Sequence, residues 1–75
     1  MSEISEKVLQ ISTQYLGPAA KVLLERQTTA HMKGLKFDDL QKFHLAELSN
    51  WVKISASLVI DKAKAEELAK KIASL

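Results

Sequence analysis

His44 and Glu47 are the two side chains of this 75-residue chain best spaced to do chemistry together. Three residues apart in a stretch of helical pattern, they project from neighbouring positions of one helix face. That face is otherwise apolar, with Leu40, Leu48 and Trp51 on it. An imidazole and a carboxylate placed there form either a polar pair inside a bundle or a pocket facing a partner. The simpler expectation leaves the Glu47 carboxylate in water at the rim, since burying it unpaired is expensive. Metal binding is disfavoured. Carboxylate-bridged di-iron bundles collect several glutamates and Glu-x-x-His pairs from separate helices, whereas this chain has one pair, in reversed order. No cofactor and no metal is expected.

A second histidine motif is His31-Met32-Lys33-Gly34. It resembles the His-x-x-Lys-Gly of histidine phosphotransfer domains, which are also four-helix bundles, but its spacing is one residue shorter and its glycine is placed as a helix terminator. The plainer reading puts His31 near the C-terminal end of a helix dipole. Gln27 would then share its alanine-rich face and hydrogen-bond to a neighbouring helix. Ser49, Ser55 and Ser57 have no base and acid arranged around them. A Gly-rich phosphate loop, a nucleophile elbow and a His-Glu-x-x-His zinc motif are all absent from the sequence. The chain reads as a binding protein and not as an enzyme.

The elements that must position these residues are helices. Two glycines, one proline and no cysteine occur among the 75 residues, so punctuation is sparse and neither disulfides nor thiolate metal sites can brace the fold. A domain this small stands near the limit at which one apolar core suffices. Eleven basic and nine acidic side chains are interleaved, giving a formal charge of +2, without the one-sided concentration of a dedicated nucleic-acid binder. No apolar run approaches the ~20 residues of a membrane span, and the polar start Met1-Ser2-Glu3-Ile4-Ser5-Glu6-Lys7 lacks the pattern of a secretory signal. A cytoplasmic protein is the expectation.

Periodicity predicts an all-α single domain over residues 1–75, a compact four-helix array or bundle with helices at about 3–16, 18–33, 39–60 and 62–74. Ser2 is placed to cap the first helix, whose stripe is Ile4, Val8, Ile11 and Tyr15. Gly17-Pro18 separates it from the second, with Pro18 at the opening position. Ala19, Ala20, Leu23, Leu24 and Ala30 share the second helix's inner face. Gly34 supplies its left-handed terminus, with Leu35 folding back on Ala30. Asp38 and Gln41 have the spacing of a capping box for the third helix. That helix carries a broad apolar arc of Leu40, Phe43, Leu48, Trp51, Val52, Ile54, Leu58 and Val59, which predicts contact on two sides. Asp61 caps the fourth helix, and Ala65, Leu68, Ala69, Ile72 and Leu75 form its inner stripe. The third and fourth helices could also be continuous.

Tyr15-Leu16-Gly17-Pro18-Ala19-Ala20-Lys21-Val22-Leu23-Leu24-Glu25-Arg26 resembles the Ile-Gly-Pro-x-Ala-Lys-Val-Leu-Val-x-Arg motif of a small helical domain appended to prokaryotic signalling proteins, kinases and response regulators among them. The resemblance covers about a dozen residues and implies an accessory or regulatory interaction domain with no catalytic residue. Within these 75 residues the motif is not accompanied by a kinase or receiver sequence.

These readings converge on a protein-protein interaction or oligomerisation module. The expected partner-binding surface is the excess of helix three, Leu45, Leu48, Trp51 and Val52, with Lys21 and Arg26 as rim charges. Its partner is another protein or a second copy of the chain. Trp51 stands near the middle of the arc, as a core anchor or an interface hot spot. The alternative is a small nucleic-acid-binding regulator using the helix-four lysines Lys62, Lys64, Lys70 and Lys71, a field diluted by Glu66 and Glu67.

Overall fold

Ser2 begins the first helix as its spacing predicts. In a computed structural model covering residues 1–75, α1 spans Glu3–Leu16 and the Ser2 hydroxyl oxygen accepts the Ser5 N–H at 3.1 Å. The same hydroxyl donates to the Leu40 carbonyl at 2.7 Å, and the Ser2 N–H donates to the Asp38 carbonyl at 3.0 Å. One small residue therefore caps a helix and ties it to a loop 38 positions away. The buried stripe of α1 is Ser5, Val8 and Ser12, with Ile4, Ile11 and Tyr15 flanking it half-buried. Small side chains on this face allow α1 to lie close to its neighbours.

Gly17 ends α1 with a φ of +63°, a conformation that favours glycine. Pro18 lies in a 3₁₀ turn over Gly17–Ala19, so α2 runs Ala20–His31 and does not open at Pro18. Its far end closes with the 6→1 bond of a Schellman ending, the Gly34 N–H donating to the Thr29 carbonyl at 3.2 Å, without the accompanying 5→2 bond. The left-handed position after the cap falls on Lys33, with a φ of +57°, one residue ahead of the expected Gly34 at +73°. Leu35 packs half-buried against the core, and Ala30 is exposed.

Helix three is shorter than its periodicity predicts. A 3₁₀ turn at Phe37–Asp39, an extended step through Leu40 and Gln41, and a second 3₁₀ turn at Lys42–His44 precede α3, Leu45–Ala56. The reason is Leu40. On a continuous helix at ~100° per residue it would lie roughly 140° from the buried face of α3. Breaking the helix lets Leu40 bury completely beside Phe37. Asp38 accordingly caps no α-helix. The reciprocal cap forms instead between Gln41 and His44, whose Nδ1 accepts the Gln41 N–H at 2.9 Å.

A turn through residues 57–60 separates α3 from α4, Lys62–Ala73, and the Asp61 carboxylate accepts the Ala63 N–H at 3.4 Å as its cap. The fold is all-helical, with no strand. Successive helices touch and α4 returns to α1, with α3 and α4 the most extensive pair. The Cα radius of gyration is 10.7 Å, against about 11 Å for a compact chain of this length, so the helices are collapsed on one another. The core joins Val8, Leu24, Leu40, Leu48, Val52, Leu68 and Ile72, all fully buried. No helix is long and apolar enough to cross a membrane.

Candidate docking groove

Glu47 is exposed, as the simpler expectation has it, and the alternative polar pair with His44 does not form. His44 is half-buried and its imidazole is occupied by the Gln41 cap. Glu47 accepts the Trp51 indole N–H at 3.4 Å, one helical turn along. His44 turns back to the Gln41 N–H and Glu47 turns to Trp51, so neither side chain is bonded to the other. No group of three or more histidine and carboxylate side chains is arranged to hold a metal ion.

The expected partner surface also needs correction. Leu45 is 2% exposed, and Leu48 and Val52 are fully buried. These three belong to the chain's own core and are closed to a partner. Trp51 is half-buried, because the His31 imidazole stacks on its indole with centroids 4.1 Å apart and planes 13° off parallel. Lys21 and Arg26 are both exposed, yet five residues at ~100° each set them roughly 140° apart around α2. One flat surface cannot use both.

An apolar excess does exist at other positions, on α3, in the turn after it and on α2. Ile54 is 59%, Leu58 86% and Val59 63% exposed, and Val22 on α2 is 58% exposed. The cause is geometric. In α3 the buried residues Leu45, Leu48, Ser49, Val52 and Ala56 define one direction. Trp51 and Ile54, three residues apart, point elsewhere, and Leu58 and Val59 stand in the turn that follows α3.

That side of α3 meets α2. The two helices run antiparallel, with His31 against Trp51 at one end of their seam and Leu23 and Gln27 beside Ser55 and Leu58 at the other. There the seam opens into a groove of about 490 Å³ lined by Ala19, Val22, Leu23, Arg26, Gln27, Ser55, Leu58 and Val59. Aliphatic groups form most of its wall, and no carboxylate lines it. Arg26 supplies its one charge and makes no ion pair within the chain, whose two pairs are Lys7–Glu3 and Lys64–Glu67. Gln27, only 6% exposed, brings an amide to it.

The sequence reading missed Val22 and Leu58 as a pair. A stripe of Ala20, Leu24, Gln27 and Thr28 at i, i+4, i+7 and i+8 is the buried face of α2. Two polar members hide that stripe from a hydrophobicity count, and it turns Val22 outward.

Two other depressions are more polar. Between α1 and α4, the Tyr15 hydroxyl donates to Glu67 Oε2 at 2.6 Å, and Lys71 Nζ stands 5.1 Å from the centre of the Tyr15 ring. The Tyr15 hydrogen bond, then the charge of Lys64, hold the Glu67 carboxyl below the ordinary glutamate range. The nearby Tyr15 is also the main cause that raises Lys71 above the ordinary lysine range. Between α3 and α4, Lys53 and Lys70 share a cleft with Asn50 and Glu66. Of the helix-four lysines, Lys64 is thus paired with Glu67, Lys71 stands over Tyr15, and Lys70 faces Lys53 across the cleft.

In comparisons with known proteins, no family model, no curated protein and no solved structure matches this chain.

Proposed function

We propose that this chain is a non-enzymatic protein-interaction module, a compact four-helix array that presents the α2–α3 groove to another protein. The observation that carries the reading is the cluster of Val22, Leu58 and Val59, each more than half exposed around one depression. Exposing large aliphatics together gives up about 25 cal/mol for every Å² of apolar surface left in water. Grouped apolar exposure marks interaction surfaces, whereas scattered exposure does not. The likeness of residues 15–26 to the signalling-domain motif supports a regulatory, accessory role, since Val22, Leu23 and Arg26 of that stretch line the groove. Nucleic-acid binding takes second place, because Lys64 and Lys71 are held by contacts within the chain.

The test is a Val22→Ser, Leu58→Ser double variant. It is expected to keep its helicity and to melt close to the parent, while losing cross-linking to a protein partner. A variant that unfolds as a core truncation does would make these residues part of the core. A folded variant whose association is unchanged would move the interaction surface elsewhere.

A further inference from the structure

We infer that the occupant of the α2–α3 groove is an amphipathic helix carrying a carboxylate at the edge of its apolar stripe, placed to meet Arg26. The inference rests on the docking reading above and adds the chemistry of the partner. Shape argues for a helix. The groove follows an antiparallel helix pair, and α3 also exposes Ile54 one residue before the lining residue Ser55. An apolar stripe with anchors at i, i+3 or i+4, and i+7 fits such a trough. A small molecule confined to the depression would leave Ile54 uncovered.

Charge argues for the carboxylate. Arg26 is the single ionised group in the lining, no carboxylate faces it there, and it has no ion-pair partner within the chain. Arginine binds carboxylates bidentately through its planar fork of N–H donors. Gln27 adds an amide donor and acceptor at the same wall. The same charge disfavours a second copy of this chain. A two-fold contact through this patch presents the same lining on both sides, so neither copy offers an acid from it to the other's Arg26, between chains of formal charge +2 each.

The experiment uses labelled helical peptides with leucines at i, i+4 and i+7 and a glutamate, glutamine or lysine beside the stripe, titrated by fluorescence anisotropy. The glutamate peptide is expected to bind roughly tenfold more tightly than its lysine twin, the order of effect of an interfacial charge contact, and Arg26→Glu is expected to reverse that order. Val22→Ser with Leu58→Ser should weaken all three peptides alike. An order that survives Arg26→Glu removes the carboxylate and leaves the groove. Binding unmoved by the Val22 and Leu58 substitutions removes the groove itself. Failure of every peptide to bind overturns the helical occupant. Growth of a dimer with concentration, abolished by Leu58→Ser, makes a second copy the occupant and overturns the acidic helix.

Discussion

The imidazole of His31 lies nearly flat on the indole of Trp51, 4.1 Å between centroids, where the last turn of α2 crosses the middle of α3. The chain's one tryptophan is therefore half covered by its own α2, and Glu47 holds its N–H. This contact pins one end of the α2–α3 seam while the other end opens into the groove. Aromatic stacking of this kind contributes about 0.5–1.5 kcal/mol beyond area burial. A double-mutant cycle of His31→Ala and Trp51→Ala, read by urea denaturation, is expected to return a coupling in that range. A coupling of zero would show that the stack does not hold the seam.

Core and groove residues should separate cleanly in stability. Leu48→Ala removes a fully buried side chain and is expected to cost about 2–5 kcal/mol. Leu58→Ala acts on a side chain 86% exposed and is expected to stay within about 0.5 kcal/mol of the parent. Urea midpoints at equal m-values check both.

Lys33 occupies the left-handed C′ position of α2, a place glycine fills without strain. Lys33→Gly is expected to stabilise the protein by about 0.5–1 kcal/mol, since a non-glycine residue pays about 1–2 kcal/mol to adopt that conformation and part of the gain is lost to the freer unfolded chain. A drop in melting temperature would show that Lys33 makes contacts worth more than its strain.

The Ser12 hydroxyl is buried without a hydrogen-bond partner, whereas the buried Ser5 hydroxyl donates to the Ser2 carbonyl at 2.9 Å. Removing an unsatisfied polar atom relieves its desolvation cost. Ser12→Ala is thus expected to be neutral or stabilising and Ser5→Ala destabilising. Equal losses from both would mean that Ser12 is satisfied after all.

Acid should weaken the α1–α4 contact in a defined direction. Folding lowers the pKa of Glu67 through the Tyr15 hydrogen bond, then through Lys64. The resulting stabilisation is present above the ordinary glutamate value of about 4.3 and is lost as pH falls through the lower folded value. Lys71 is raised, chiefly by Tyr15, so its contribution is complete below the ordinary lysine value and fades as pH climbs through the folded one. Tyr15→Phe is expected to flatten both limbs of a plot of melting temperature against pH. Unchanged limbs would show that Tyr15 couples to neither charge.

How far the sequence was legible depended on whether a residue's role was local. Ser2 and Asp61 were readable as caps because an N-cap needs only its own next few residues. The apolar arc of helix three was readable as excessive, and Ile54, Leu58 and Val59 are in fact exposed. Which half of the arc the core would take depended on where α2 and α4 lie against it, and periodicity within one helix does not contain that. Leu40 shows the same limit, since tertiary burial broke a helix that local pattern favoured. His44 was noticed as chemistry, yet its Nδ1 closes a cap with Gln41, an assignment that required knowing where the helix starts.

Methyl NMR of the protein titrated with the glutamate-bearing helical peptide tests the docking groove most directly. The expected result is saturable movement of the Val22, Leu23, Leu58 and Val59 methyl resonances, which line the groove, with the buried Leu48 and Leu68 unmoved. Saturable shifts confined to another face, or none at concentrations where anisotropy reports binding, would contradict the assignment of the α2–α3 groove as the docking surface.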